Sequence, residues 1–534
     1  MRTIILAMLA APFSSAFISA AVLNMHIFDQ DSGETLAGRI YIEGQGGKPY
    51  FVESSSSNGS ALRYEKRNWV NKKAEEFHTT VSAHAFQANL EPGRYEITIE
   101  RGKEYFPLIK TVNVGAEPID LQFPIKRWIN MSERGWYSGE THVHRTPDEL
   151  ANLMPAEDLN VSFPLTYWVT KGFQAPATGN KNQRVELPEG LVTIDETHVF
   201  WPRNTEWEIF SINGKSHTLG AVFALGHKSP FQLGVPPIKE VARLASEEGA
   251  LLDLDKHDWP WSMILPPVME VQLYELANNH MWRTEFGFTN WNSPTPEWMR
   301  PRLQKQSGNE RHWIEFTHAN YHMLLNCGLK MVPTAGTANG VHPVPLGFSR
   351  AYVHLPDGFS YEKWKQGLAA GRSFVTTGPM VFATLNKQDP GHVFRPTGSL
   401  FKTVLKAEIT SETPVVTVEV IRNGSIVEII SPKNRELESG AFQCQIETEA
   451  KFKESGWLAL RCWEERPENR VRFAHTAPWH INIPGKPLRP RLEEKNYLIQ
   501  RVKTQIERSQ SLLPPEALTD YREALEFYQE LQNQ

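Results

Sequence analysis

Alternation of apolar and polar residues opens the chain. Leu23, Met25 and Ile27 are spaced two apart, Asp31-Ser32-Gly33 carries turn chemistry, and Ile40 and Ile42 resume the period. Glu91-Pro92-Gly93 is a second turn signal, since proline sets one central φ and glycine accepts a positive φ at the next; Tyr95, Ile97 and Ile99 then predict a strand. Residues 22–127 are therefore expected to form a small β-sandwich. From 128 to 385 the texture changes: 222–225 predict a buried strand, 238–246 a helix and 250–254 the next strand. Such α/β ordering fits a barrel with ligands at strand ends. Over residues 386–485 alternation returns, with Val416, Val418 and Val420 on one face and Thr417 and Glu419 on the other, followed by an apolar run at 457–462, predicting a second β-sandwich. Residues 486–534 read as a helical tail: Leu498, Val502 and Ile506 share a face, Pro514-Pro515 interrupts, and Leu518, Tyr521, Leu525, Tyr528 and Leu531 resume a packing stripe. The expected class is multidomain α/β plus all-β.

Composition narrows the possibilities. A chain of 534 residues exceeds one ordinary core. A net charge of -5 gives no electrostatic reason to expect nucleic acid as a partner. Residues 1–21 have the layout of a cleavable secretory signal: Arg2, an apolar run over 4–11, then Ser14, Ala16, Ser19, Ala20 and Ala21. No later apolar stretch is long enough to span a bilayer, so an exported chain, periplasmic or extracellular, is expected, with a retained anchor as the alternative. Three cysteines exclude a disulfide-dense scaffold and a thiolate zinc cage. Cys444 and Cys462 lie on two strand-like segments and could pair, leaving Cys327 free, or stay as buried thiols among Phe442, Ile446, Leu458 and Leu460.

The densest chemistry lies in Gly139-Glu140-Thr141-His142-Val143-His144-Arg145. On a strand, His142 and His144 project to one face, where two imidazoles can meet one metal ion; a solvent-facing hairpin is the plainer alternative. Thr141 and Val143 favour extended backbone, and Gly139 permits a close neighbour. Glu206 and Glu208 alternate with Trp207 and Ile209, so both carboxylates share a face. His227 and His257 each close an apolar strand, a placement open both to ligands and to hydrogen-bonded structural residues. Imidazoles and carboxylates without thiolate suit zinc, manganese or iron, one or two ions in number.

These stretches resemble the polymerase-and-histidinol-phosphatase (PHP) superfamily, and within it the CehA/McbA family of metallohydrolases. The similarity rests on residues 135–145, 156–161 with Leu165-Thr166, Leu225-Gly226-His227, 324–328, 371–379 and 473–478. The resemblance implies a PHP-type distorted β/α barrel whose metal ligands are His142, His144, Glu206, His227 and His257; the catalytic candidates of the chain are Glu206, Arg145 and His342. The 22–127 region is similar to the carboxypeptidase regulatory-like, transthyretin-like modules that precede secreted enzymes. Two departures stand out. The superfamily's Asp-His pair is replaced by Leu165-Thr166-Tyr167-Trp168, and its Gly-Ser/Thr-Asp-x-His element by Gly336-Thr337-Ala338-Asn339-Gly340-Val341-His342. Ala338 stands where a carboxylate ligand is expected; His342, Asn339, Asp255, Asp258 or water would have to complete the shell.

The resemblance implies an exported metal-dependent hydrolase in which a metal-bound water attacks an ester, carbamate or phosphoester bond of a small or sugar-like substrate. The ligands that the resemblance implies for a third ion are also absent, which disfavours phosphate monoesters. The alternative is a carbohydrate- or ligand-binding protein with a degenerate metal site and an aromatic cleft. Trp168, Trp201, Trp207, Trp259, Trp261, Trp282, Trp291, Trp298 and Trp313 are dense enough to line one, with Trp259 and Trp261 best placed after His257, although indoles also fill cores. Arg145 could hold an anionic group beside the metal or make a structural ion pair.

Overall fold

The computed structural model describes residues 20–177, 186–284, 295–299 and 310–532. The leader expected over 1–21 lies outside the described residues except for its last two positions, and Trp291 also lies outside them.

In the N-terminal region, Ala21–Asp29 turns Leu23, Met25 and Ile27 inward and pairs with Ile119–Ile125 and Phe86–Leu90. A second sheet, built on Gly38–Glu43 and Gly93–Glu100, sends Ile40, Ile42, Ile97 and Ile99 into the same core. Glu91-Pro92-Gly93 carries the chain from the first sheet to the second, which makes the region a sandwich.

The central strands form sheets that, among the described residues, do not close into the expected barrel. One sheet has six strands, in the order Tyr167–Lys171, Asn204–Ile212, Lys215–Leu225, Leu251–Asp255, Leu273–Ala277 and Val332–Ala335. A repeating β/α unit fails where Asn204–Ile212 and Lys215–Leu225 pair as an antiparallel hairpin. Its two-residue turn is Asn213-Gly214, both with positive φ (48° and 77°), the chemistry of a tight hairpin and not of a helical crossover. The other sheet has twelve strands and contains Trp136–Val143, parallel to Val161–Pro164 and antiparallel to Arg350–His354. Two connections bring the sheets together. Leu165-Thr166 leads directly from Val161–Pro164 to Tyr167–Lys171, and Thr141 Oγ1 donates to Ala335 O across 3.2 Å on the opposite side.

The twelve-stranded sheet does not stop at residue 385. It continues through Ser373–Thr376, Arg470–Thr476, Gly456–Arg466 and Val415–Arg422, while Met380–Leu385, Phe401–Ser411 and Phe442–Phe452 form the facing sheet. Leu405, Ile409, Val418, Val420 and Leu460 fill the space between them. Val416 departs from its expected face and is exposed, because a bulge between Val415 and Thr417 shifts the register by a residue. Cys444 and Cys462 are free thiols buried in this core. The tail folds as Leu492–Ser509 and Pro515–Glu530, which place Leu498, Val502, Tyr521 and Tyr528 on the central core. No helix of the described residues is long and apolar enough to cross a membrane.

Candidate metal centre

Strand geometry delivers the two histidines of the His-x-His run to one point. Trp136–Val143 is fixed from behind by Trp364, whose indole fills the space above Gly139: a Cβ there would lie 2.2 Å from the ring. On the other side the segment after Gly336 runs beside the strand, Ala338 N donating to His142 O at 2.7 Å and His144 N to Asn339 O at 2.8 Å. Gly336 is required by closeness, since a Cβ would meet His142 Cβ at 2.3 Å. The His142 and His144 Nε2 atoms are consequently 3.2 Å apart.

Glu206 arrives from the six-stranded sheet. Trp207 and Ile209 pack into the core behind it, so Glu206 and Glu208 turn the other way, as the alternation predicted. Glu206 Oε2 lies 3.2 Å from His144 Nε2, and its Oε1 lies 4.0 Å from His142 Nε2. For ligands ~2.0–2.1 Å from a zinc-sized ion, neighbouring donors of a tetrahedron stand ~3.3 Å apart. Two of the three separations match that edge. His142, His144 and Glu206 are all buried, and burial drives the His142 imidazole far below its ordinary pKa, toward the neutral form that a metal needs.

The opposite nitrogen of His142 faces carboxylates. Nδ1 is 2.9 Å from Glu275 Oε2 and 3.7 Å from Asp255 Oδ2, the arrangement by which an outer carboxylate orients a ligating imidazole. Burial, reinforced by Asp255, raises the Glu275 carboxyl well above the usual range. Glu275 is itself held by Asn279 N, which donates to Oε1 at 3.1 Å. His142, Asp255 and Glu275 form a second potential donor group. A protein cation already serves it: the Lys256 ammonium donates to Asp255 Oδ2 and stands 3.4 Å from Glu208 Oε1. Burial opposes the Asp255 charge, but Lys256 and His142 outweigh it and keep the carboxylate below its ordinary pKa. Burial pushes Glu208 up to about 7 against the pull of Lys256, while the Trp168 indole donates to its Oε2 at 3.2 Å.

Four expected site residues take other roles. His227 has both ring nitrogens engaged, Nε2 with Thr205 Oγ1 and Nδ1 with Ser229 O, each at 2.9 Å. His257 is likewise committed, Nε2 donating to Glu275 O at 2.6 Å and Nδ1 accepting from Asn278 Nδ2 at 2.9 Å, with the ring stacked on Tyr274. These histidines brace strand ends and are not in the donor set. Arg145 lies over Tyr64, donates through Nε to Asn339 Oδ1 at 2.6 Å and pairs with Glu149 at 2.9 Å. His342 packs between Trp69 and Trp282 with its Nε2 3.4 Å from Asn279 Nδ2. Of the replacements considered for a missing carboxylate, Asp255 joins the second donor group, on the far side of the His142 ring, whereas Asp258 is outside both groups. Asn339 is occupied with Arg145 and Val344 O.

The tryptophans divide similarly. Trp207, Trp261 and Trp282 are fully buried, and Trp313 is buried too, so these four are core, whereas Trp168, Trp201, Trp259 and Trp298 are half-buried. Trp168, 5.5 Å from the His144 ring, is the indole closest in role to the site. Glu275 and Lys256 went unrecognised in the sequence. Their signals were a carboxylate inside the apolar strand Leu273–Ala277 and a lysine closing Leu251–Asp255. No family model, curated protein or solved structure matches this chain.

Proposed function

We propose that the chain is an exported metal-dependent hydrolase of the PHP type that works with a single divalent ion held by His142, His144 and Glu206. The observation that carries this reading is the convergence of three buried donors at ligand-shell spacing, with Glu275 behind His142. When bound there, such an ion supplies an acidified water and a Lewis acid for the scissile carbonyl or phosphoryl oxygen. Glu275 fixes the His142 ring so that Nε2 points at the centre. Glu208, with a carboxyl near 7, can accept a proton from the attacking water and return it to the leaving group close to neutral pH. Lys256 supplies the positive charge that a second ion would otherwise bring to Asp255 and Glu208. A one-ion site favours carboxylic esters and carbamates over phosphate monoesters. The binding-protein alternative loses Trp207, Trp261, Trp282 and Trp313 from its cleft, because these four indoles are buried.

The test is elemental analysis of protein purified without chelator, followed by an ester, carbamate and phosphoester panel. The wild type should carry one zinc, manganese or iron per chain. His142→Ala with His144→Ala should lose it and remain folded, and Glu206→Gln should cost roughly a hundredfold or more in rate. Glu208→Gln should keep the metal and lose the ionisation near pH 7 from its rate profile. A wild type that binds no divalent metal would overturn the proposal.

A further inference from the structure

A cavity of about 360 Å³, with none of the metal-centre residues in its lining, lies where the N-terminal sandwich, the central region and the C-terminal strands meet. Seven basic and four acidic side chains line it, and three more carboxylates, Glu76, Glu310 and Glu464, pair with its arginines from outside the lining. Most of the arginines have local carboxylates. Arg39 pairs with Glu100 and Glu157, Arg283 with Glu76 and Glu100, Arg466 with Glu412 and Glu464, and Arg470 with Glu310. Lys103, Arg350 and Arg472 differ. Among the described residues none of the three has a carboxylate in ion-pair contact, and their polar contacts are backbone carbonyls; Arg350 is taken up by three of them, Gly347 O, Asp158 O and Glu157 O. Lys103 Nζ donates to Thr377 O at 2.9 Å; Arg472 donates to Val471 O and Arg283 O, each at 2.9 Å.

Both cations share one aromatic ring. The Lys103 ammonium is 3.7 Å from the Phe348 centroid and the Arg472 guanidinium 4.9 Å from it. A ring quadrupole contributes attraction to each, but far less than a counter-anion would. Their repulsion shows in their acidity. Burial, with Arg472, Arg350 and Arg466 nearby, drives Lys103 well below the usual lysine pKa. Burial outweighs the pull of Glu310 and, with Arg470 and Arg466, lowers Arg472 to about 10. Two half-buried cations on one aromatic platform, facing a cavity and lacking their own carboxylates, form a recognition site for an anion.

We propose that this cavity binds a tetrahedral oxyanion, inorganic phosphate or the phosphoryl group of a small metabolite, clamped between Lys103 and Arg472 over Phe348. The volume exceeds that of the ion alone, and Tyr105 and Trp128 in the wall leave an aromatic surface for an attached organic group. Lys103 follows the N-terminal strand Gly93–Glu100, Phe348 precedes Arg350–His354 and Arg472 belongs to Arg470–Thr476. A bound anion therefore ties three regions of the fold together and stabilises the assembled state by linkage.

The full-length protein is titrated calorimetrically with inorganic phosphate, glucose 6-phosphate and glucose at constant ionic strength set with chloride. Each titration is repeated after metal removal by EDTA. Saturable binding of a phosphate compound, but not of glucose, is expected with or without metal. Tighter glucose 6-phosphate assigns the site to phosphorylated metabolites, whereas equal affinities assign it to the free ion. Lys103→Met and Arg472→Met should each weaken binding about tenfold or more, the order expected for loss of one charged hydrogen bond. Lys103→Met should also raise the melting temperature in phosphate-free buffer, because it relieves repulsion, and abolish the rise that phosphate gives the wild type. Absence of saturable binding, binding lost with the metal, or equal affinity in wild type and both variants would overturn the proposal.

Discussion

Lys256 brings an ammonium group into a buried space between Asp255 and Glu208, from a backbone with φ of 63° that favours glycine or asparagine over lysine. A residue held in that conformation beside two carboxylates is placed there by the charge it neutralises. Lys256→Met should leave those carboxylates facing each other uncompensated, at about 3–5 kcal/mol in metal-free protein. Added zinc or manganese should recover most of the lost melting temperature, and metal content per chain should exceed that of the wild type. Thermal melts with and without the ion, paired with elemental analysis, check this; unchanged metal content would show that the ammonium does not occupy a cation site. At this scale the sequence was legible where spacing alone decides geometry. A period of two places His142 with His144, and Glu206 with Glu208, whatever surrounds them. His227 and His257 were not separable from ligands, because their roles depend on Thr205, Ser229, Asn278 and a backbone carbonyl that folding alone brings to their rings.

The strand that carries His142 depends on its support. Trp364 is fully buried, lies against Gly139 and donates to Tyr137 O at 2.9 Å, so it has no room to retreat. Gly139→Ala should cost roughly 1–3 kcal/mol through overpacking, and more if the strand shifts. Combining it with Trp364→Phe should recover part of the loss, which denaturant unfolding of the three variants in a double-mutant cycle would measure. Strict additivity would mean that the contact is not the source of the strain. Element type was legible wherever apolar period and turn chemistry agreed, as in Ala21–Asp29 and the two tail helices. It was not legible at Val416, where a bulge that no local residue announces turns the side chain outward. Asn213-Gly214 is itself a hairpin signal, and it argues against a regular β/α repeat at that point.

Across the whole molecule, hydrogen-bonded strands cross the position where the change in sequence texture suggested a boundary. Ser373–Thr376 pairs on one side with Arg350–His354, beside the His-x-His strand, and on the other with Arg470–Thr476, almost a hundred residues later. Texture reports which face of a strand is wet, not which strand lies next to it, so a sheet shared by two regions leaves no local mark. The central and C-terminal regions should therefore unfold together. A chain ending at residue 385 loses Arg470–Thr476 from one strand, Phe401–Ser411 from Met380–Leu385, and the tail helices that cover the central core with Leu498, Val502 and Tyr521. It would expose unpaired edges and apolar surface together, and should aggregate or remain unfolded. Calorimetry of the full-length protein should correspondingly show no separate transition for residues 386–532. A soluble 385-residue chain with a cooperative melt and bound metal would show that the shared sheet is a contact between independently stable units.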